Sequence, residues 1–217
     1  MKRLLPIFFL LYTITPVAAQ ITHTANGNID KNADEILKKA ANKFHSNAVS
    51  FSVNVTNKDT EKKLISKEKA DILYNQGKYR VTFGDNIIYC DGTATWHWNK
   101  QADEVVVNKM SDADDDLMNP AAILKNYNKN FKAKYIRLES NGDAVIDLTP
   151  KKTKSYYKLR FIINTNNGIV KRIEMHNYDA SGSEYQVSNF KSGVKTTDGD
   201  FRFPKSQNPS VEIIDMR

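Results

Sequence analysis

Few residues of this sequence have the types and spacing that chemistry requires. There are four histidines, His23, His45, His97 and His176, and one cysteine, Cys90. No two histidines stand at metal-ligand spacing, and a single cysteine excludes multi-Cys zinc or iron–sulfur sites and any internal disulfide framework. No Gly-x-Ser-x-Gly elbow is present, so a serine hydrolase of that type has no nucleophile. The run Asp112-x-Asp114-x-Asp116 opens like a calcium loop, but Leu117 stands where the loop needs Gly and Ile123 where it needs Glu. It reads instead as a solvated acidic loop suited to a basic partner. Cys90 lies in an apolar, aromatic stretch without the basic neighbour that a reactive thiolate requires, and reads as a small core or wall residue. No catalytic residue, metal ligand or cofactor site is predicted, and the protein is not expected to be an enzyme. Aromatic residues, by contrast, are plentiful: ten Tyr, ten Phe and two Trp.

The elements that must position those aromatics follow from periodicity. The 217 residues suffice for one large domain with a real core. Lys2 and Arg3 precede an apolar run, Leu4 to Leu11, that continues to Pro16 and ends in the small residues Val17-Ala18-Ala19. This pattern predicts a secretory signal over 1–19, cleaved after Ala19, and falls short of the ~20 apolar residues a membrane span needs. No Cys follows the cut, so no lipoprotein is expected. The expected product is a soluble, exported, single domain over 20–217, its net charge reduced from +7 to +5 by the loss of Lys2 and Arg3. Its lysines are scattered and no basic recognition helix is present, so nucleic acid is not an expected partner.

After a polar lead, Asn32-Ala33-Asp34-Glu35 has capping-box spacing, and Ile36, Leu37, Ala40, Ala41 and Phe44 form one helical stripe. The period then changes to two. Val49, Phe51, Val53 and Val55 alternate with polar residues, as a half-buried strand requires. Further strands cover 64–74, 79–83 and 86–90, and Asp91-Gly92 is a strong hairpin turn into Ala94, Trp96 and Trp98. Asn119-Pro120 opens a short helix carrying Ile123, Leu124 and Tyr127. Strands resume over 131–139, 144–148, 156–163, 169–178 and 184–190, with short pieces around Phe201 and 211–214. About ten or eleven antiparallel strands with helices only at the start and middle predict a large curved sheet or incomplete β-barrel. Its concave face is filled, covered or left open. The apolar-face aromatics Tyr74, Tyr79, Phe83, Trp96, Trp98, Tyr157 and Phe161 either line a groove under the helices or form a packed core. Alternation alone does not separate these two.

Several segments resemble the periplasmic outer-membrane lipoprotein carrier family, LolA. The stretch Asn86 to Asn99 is similar to that family's strand, D-G-x-T-x-W turn and strand, with Asp91, Gly92 and Trp96 matching and the Thr falling at Thr93 or Thr95. Asn119-Pro120 to Tyr127 sits where the family has its mid-chain lid helix. Asn141-Gly142-Asp143 to Leu148-Thr149-Pro150 looks like its strand ending in L-T-P. Leu159 to Ile163, Asn167-Gly168-Ile169, Tyr185-Gln186-Val187 and Phe201-Arg202-Phe203-Pro204 continue the order. The resemblance implies a mainly β fold, an incomplete antiparallel barrel whose helices form a lid over an apolar cavity for acyl chains. It also implies acylated lipoproteins as cargo, a lipoprotein-releasing transporter at the inner membrane as donor, and a monomer in the periplasm. The implied lipid-contacting residues are Tyr74, Tyr79, Val81, Phe83, Trp96 and Trp98 on strands, and Ile36, Leu37, Phe44, Ile123 and Leu124 on the lid. One departure stands out. The better-known members close the lid with an Arg after the second strand, whereas here that turn reads Tyr74-Asn75-Gln76-Gly77-Lys78-Tyr79. A single-domain lipid sensor or regulator on the same fold is the alternative reading.

Overall fold

The computed structural model describes residues 30–110 and 120–217. The expected signal, the polar lead to Ile29, the aspartates of 112–116 and the Asn119 cap lie outside the described residues. Helix α1 (Lys31–His45) starts earlier than the capping-box spacing predicts, because Asp30 rather than Asn32 is its cap. The Asp30 Oδ1 accepts from the N–H groups of Asn32 at 3.0 Å and Ala33 at 3.4 Å. A carboxylate there satisfies orphan donors and meets the positive end of the helix dipole. Asp30 is also anchored from outside the helix, its Oδ2 accepting from the Tyr135 N–H at 3.1 Å. The buried stripe is Ala33, Leu37, Ala40, Ala41 and Phe44, with Ile36 half-buried at its flank.

Six strands follow, β1 (Val49–Lys58), β2 (Leu64–Asn75), β3 (Lys78–Phe83), β4 (Asn86–Cys90), β5 (Ala94–Asn99) and β6 (Glu104–Lys109). The middle of the chain holds α2 (Pro120–Lys125) and α3 (Tyr127–Asn130). Then come β7 (Phe131–Leu138), β8 (Asp143–Pro150), β9 (Tyr156–Asn164), β10 (Val170–Asn177), β11 (Gly182–Ser192) and β12 (Glu212–Asp215). All join one sheet in the order β12-β6-β5-β4-β3-β2-β1-β11-β10-β9-β8-β7. The fold is mainly β, an open antiparallel sheet with few helices.

Two details correct the expectation. Among the described residues the strands number twelve, and β12 pairs parallel with β6 because the chain returns along that edge in the same direction. The piece around Phe201 is a 3₁₀ turn, Asp198–Phe201, rather than a strand. Asp200 Oδ2 accepts from the Thr197 N–H at 2.8 Å and hydroxyl at 2.9 Å, which fixes the helical turn.

The sheet is curled around α1. This helix touches both β2 and β7, which stand six strand intervals apart, or about 29 Å in a flat sheet. A 15-residue helix is about 22 Å long. Each face therefore has its own cover. On the first, α1, α2 and α3 pack against one parity of residues from β1–β4 and β7–β11, forming the main core. On the second, Ile87, Tyr89, Ala94, Val105 and Val107 of β4–β6 pack beneath Phe203 and Val211 of the C-terminal segment. No described helix is long and apolar enough to cross a membrane.

Candidate functional site

The candidate site is the face of the sheet beneath the helices. Strand alternation places Phe51, Val53 and Val55 of β1, Ala70, Ile72 and Tyr74 of β2, and Tyr79 and Val81 of β3 on it. From the far side of the curl, Ile146, Leu148, Leu159, Phe161, Ile163 and Ile173 meet them. The opposite face of β8 and β9 is mixed: Arg160 there grips Asp147 with two bonds of 2.7 and 2.9 Å, beside the buried pair Val145 and Ile162. The helix-covered face is the larger of the two apolar surfaces described, and α1 and α2 lie on it.

Phe44 is the centre of the helix contact. Its ring meets Phe51 at 5.8 Å, Tyr74 at 6.2 Å and Phe190 at 5.7 Å, each edge-on. Edge-to-face contacts of this kind stabilise beyond the area they bury. Burial pushes the Tyr74 phenol up, against a lowering hydrogen bond from the Gly77 backbone, so the group stays neutral and suits an apolar wall.

Of the predicted contact residues, the structure brings Leu37, Phe44, Tyr74, Tyr79, Val81, Ile123 and Leu124 into this one buried cluster, with Ile36 and Phe83 packed against it. It separates Trp96 and Trp98 from them. Both tryptophans belong to the second face, where the Trp98 ring stands edge-on to Phe203 at 5.2 Å and Lys100 Nζ lies 5.3 Å over it. Register is the cause. Tyr79 pairs with Cys90 and Cys90 with Thr95, whereas Trp96 pairs with Tyr89 and Tyr89 with Arg80. The tryptophans thus share the parity of Arg80, and an apolar alternation in β5 marks the face covered by the C-terminal segment. Tyr157 is likewise on the outer side, against His176 and Tyr178, while Phe161 is wholly buried in the main core.

Sequence reasoning missed the polar ties that hold the helices down. The Tyr127 hydroxyl donates to Asp34 Oδ1 at 2.5 Å, joining α3 to α1, and Lys38 Nζ stands 2.6 Å from the other Asp34 oxygen. The Lys38 and Tyr127 hydrogen bonds hold the Asp34 carboxyl below its ordinary range. Burial, then the bond to Asp34, pushes the Tyr127 phenol well up. On the other side of α1, Lys39 Nζ donates to the carbonyls of Thr165 at 2.7 Å and Asn166 at 2.9 Å. Gly168, at φ +72, lets that β9–β10 turn approach closely. A Cβ there would stand 3.0 Å from Lys39 Cγ and 3.1 Å from its carbonyl oxygen.

The Asn75–Lys78 turn, which lacks the family's Arg, is occupied elsewhere. Asn75 Nδ2 donates to Thr196 Oγ1 at 3.0 Å, and Lys78 pairs with Asp198 at 2.6 Å. Both ties run to the C-terminal segment rather than to a helix.

Asp91, the acid of the Asp-Gly turn, is a second structural knot. Its Oδ1 accepts from Thr93 N–H at 2.9 Å, Thr93 hydroxyl at 2.7 Å and Ala94 N–H at 3.0 Å, while Arg202 Nε reaches Oδ2 at 2.9 Å. Partial burial works to raise this carboxyl, but the Thr93, Ala94 and Arg202 bonds prevail and lower it to about 2. Two motifs far apart in sequence, Asp91-Gly92 and Phe201–Pro204, are thereby joined. Among the described residues no three His, Cys, Asp or Glu side chains converge as a metal-ligand set. Cys90 is buried with its Sγ 3.8 Å from Met110 Sδ.

Residues 77–204 match the family of the outer membrane lipoprotein carrier protein LolA, and the chain belongs to that family. The match takes in both motifs joined by the Asp91–Arg202 bond. The structure is similar to that of an uncharacterized conserved protein from Thermus thermophilus, with a TM-score of 0.56 and 13% identity over 85% of this chain and 99% of that one. A LolA superfamily protein from Nitrosomonas europaea also matches, with a TM-score of 0.44 and 14% identity over 79% of this chain and 97% of that one. No curated protein sequence matches the chain.

Proposed function

We propose that this protein is an exported periplasmic carrier, residues 20–217 forming one domain, that shields the acyl chains of lipoproteins on their way from the inner to the outer membrane. Family membership over residues 77–204 is the observation that carries the reading. The apolar face gives it a physical basis. Each buried methylene contributes about 0.8 kcal/mol, so one acyl chain of ~15 carbons exposed to water costs roughly 12 kcal/mol. A carrier must offset most of this and still release its cargo, which calls for apolar area with few directional bonds. Tyr74, Tyr79, Val81 and Phe83 serve as the wall, and Ile36, Leu37, Phe44, Ile123 and Leu124 as the lid. In the described structure wall and lid touch each other. Acyl chains enter as the helices lift, exchanging side chain–side chain contacts for side chain–acyl contacts.

The few polar ties of α1 suit that motion. The Tyr127–Asp34 bond, the Lys39 bonds and the Asp30–Tyr135 bond take the place of the family's Arg latch; the Tyr127 ring belongs to the buried cluster and its hydroxyl reaches out of it to Asp34. A lipoprotein-releasing transporter at the inner membrane is the proposed donor. The test is displacement of an apolar fluorescent probe by diacylated lipopeptides. A probe that binds and is displaced in proportion to added lipopeptide is the expected result, and lack of any displacement sinks the reading. A lipid sensor would use the same face, so depletion of the protein separates the two: retention of lipoproteins in the inner membrane identifies a carrier, unchanged partitioning a sensor.

A further inference from the structure

At the end of the sheet away from the β9–β10 turn that holds Lys39, three hairpin ends form one continuous rim. They are the β1–β2, β8–β9 and β10–β11 connections. Lys62 Nζ of the first donates to the Ala180 carbonyl of the third. Ser155 of the second lines a cleft of about 390 Å³ together with Met175, Asn177, Tyr178 and Asp179. Tyr157 and Tyr178 meet at 5.7 Å between ring centroids.

This rim has an unusual composition. Over residues 58–67, 151–158 and 177–182 it carries eight lysines (58, 62, 63, 67, 151, 152, 154 and 158) against three carboxylates, Asp59, Glu61 and Asp179; Lys63 pairs with Glu61 and Lys158 with Asp147 of β8, and the cations remain in excess. Set among them are the exposed apolar side chains of Leu64 (55% exposed), Ile65 (65%), Tyr178 (71%) and Tyr157 (41%). Leu64 and Ile65 are consecutive residues of a strand, so they project to opposite sides of the hairpin tip. A groove on a protein partner would cover one side; a tip apolar on both sides is matched by a medium that surrounds it. Tyrosine side chains favour the membrane–water boundary, and lysines reach from an apolar surface to anionic head groups.

We propose that this rim docks on the surface of a bilayer rich in anionic phospholipid, with Leu64 and Ile65 entering the head-group layer and the lysines providing the attraction. The docking presents the end of the helix-covered face to the membrane. It goes beyond the carrier reading, since it requires no lipoprotein.

The test is co-sedimentation of the protein, purified from the envelope with the N-terminus the cell leaves on it, with vesicles of phosphatidylcholine alone or mixed with phosphatidylglycerol. Binding is expected only to the mixed vesicles and is expected to fall as salt is raised. The paired changes Leu64→Ser with Ile65→Ser, and Lys67→Glu with Lys152→Glu, each weaken it by about tenfold. All four positions are exposed, so an unchanged thermal midpoint is expected for both variants. As a second readout, Ile65→Trp acquires blue-shifted emission on mixed vesicles. Equal binding to neutral vesicles, wild-type binding by both variants, or retention on an acidic protein without vesicle binding overturns the proposal, the last assigning the rim to a protein partner. Because these vesicles hold no lipoprotein, failure here leaves the probe-displacement result standing, and the reverse.

Discussion

Asp91 shows how much one side chain in a turn decides. Its four accepted hydrogen bonds close the β4–β5 hairpin and hold the C-terminal segment through Arg202. A carboxyl held at about 2 against an ordinary 3.8 contributes stability that is fully present above pH 3.8 and is lost as pH falls toward 2. Asp91→Asn is therefore expected to cost about 1–3 kcal/mol at neutral pH, read by urea unfolding, with the gap from wild type closing as pH drops through that window. Tyr127 acts on function rather than on the hairpin. Tyr127→Phe removes the donor to Asp34 while keeping the ring in the core. Faster amide exchange in α1 and faster probe uptake are expected, and unchanged rates would show that this bond does not restrain the lid.

At the scale of elements, α1 is held by an apolar stripe on one side and a turn on the other. Gly168→Ala sets a Cβ against the Lys39 backbone at a φ of +72, so the β9–β10 turn must withdraw or strain. The expected cost is above about 1 kcal/mol, accompanied by looser amides in α1 and little change in β1 or β11. Phe44→Ala removes the ring shared by Phe51, Tyr74 and Phe190. A loss of about 3–5 kcal/mol is expected by denaturant titration, and weakened probe binding should go with it. The α1 stripe was legible because a 3.6-residue period survives without tertiary information. The cap was harder to place, because Asp30 and Asn32 are both capping residue types and the further bond that anchors Asp30 comes from Tyr135, 105 residues away.

For the molecule as a whole, the two faces of the sheet separate two tasks. The helix-covered face carries the proposed lipid contacts, and the other face of β4–β6 is closed by Phe203 and Val211. Trp96→Phe and Trp98→Phe are accordingly expected to lower stability while leaving probe affinity unchanged; weakened affinity would return the tryptophans to the binding surface. The tryptophan placement was within reach of the sequence. Counting outward from an Asp91-Gly92 turn puts Trp96 on the parity of Ile87 and Tyr89, although the turn is in fact centred on Gly92-Thr93, and a second count through β3 reaches the parity of Arg80 rather than that of Tyr79. The polar ties of α1 were beyond it, since Tyr127 and Asp34 are 93 residues apart and Lys39 and Thr165 are 126 apart.

The order of elements, their alternation, the hairpin turns and the shortage of reactive groups were determined by the sequence alone, because each is a local property of neighbouring residues. A period of two sorts side chains onto two faces but does not say which face the helices will cover. That choice, together with the curl that brings β2 and β7 to the same helix, was made only by the tertiary structure. It depends on which apolar surfaces meet across the fold, and those contacts join residues the chain itself holds far apart.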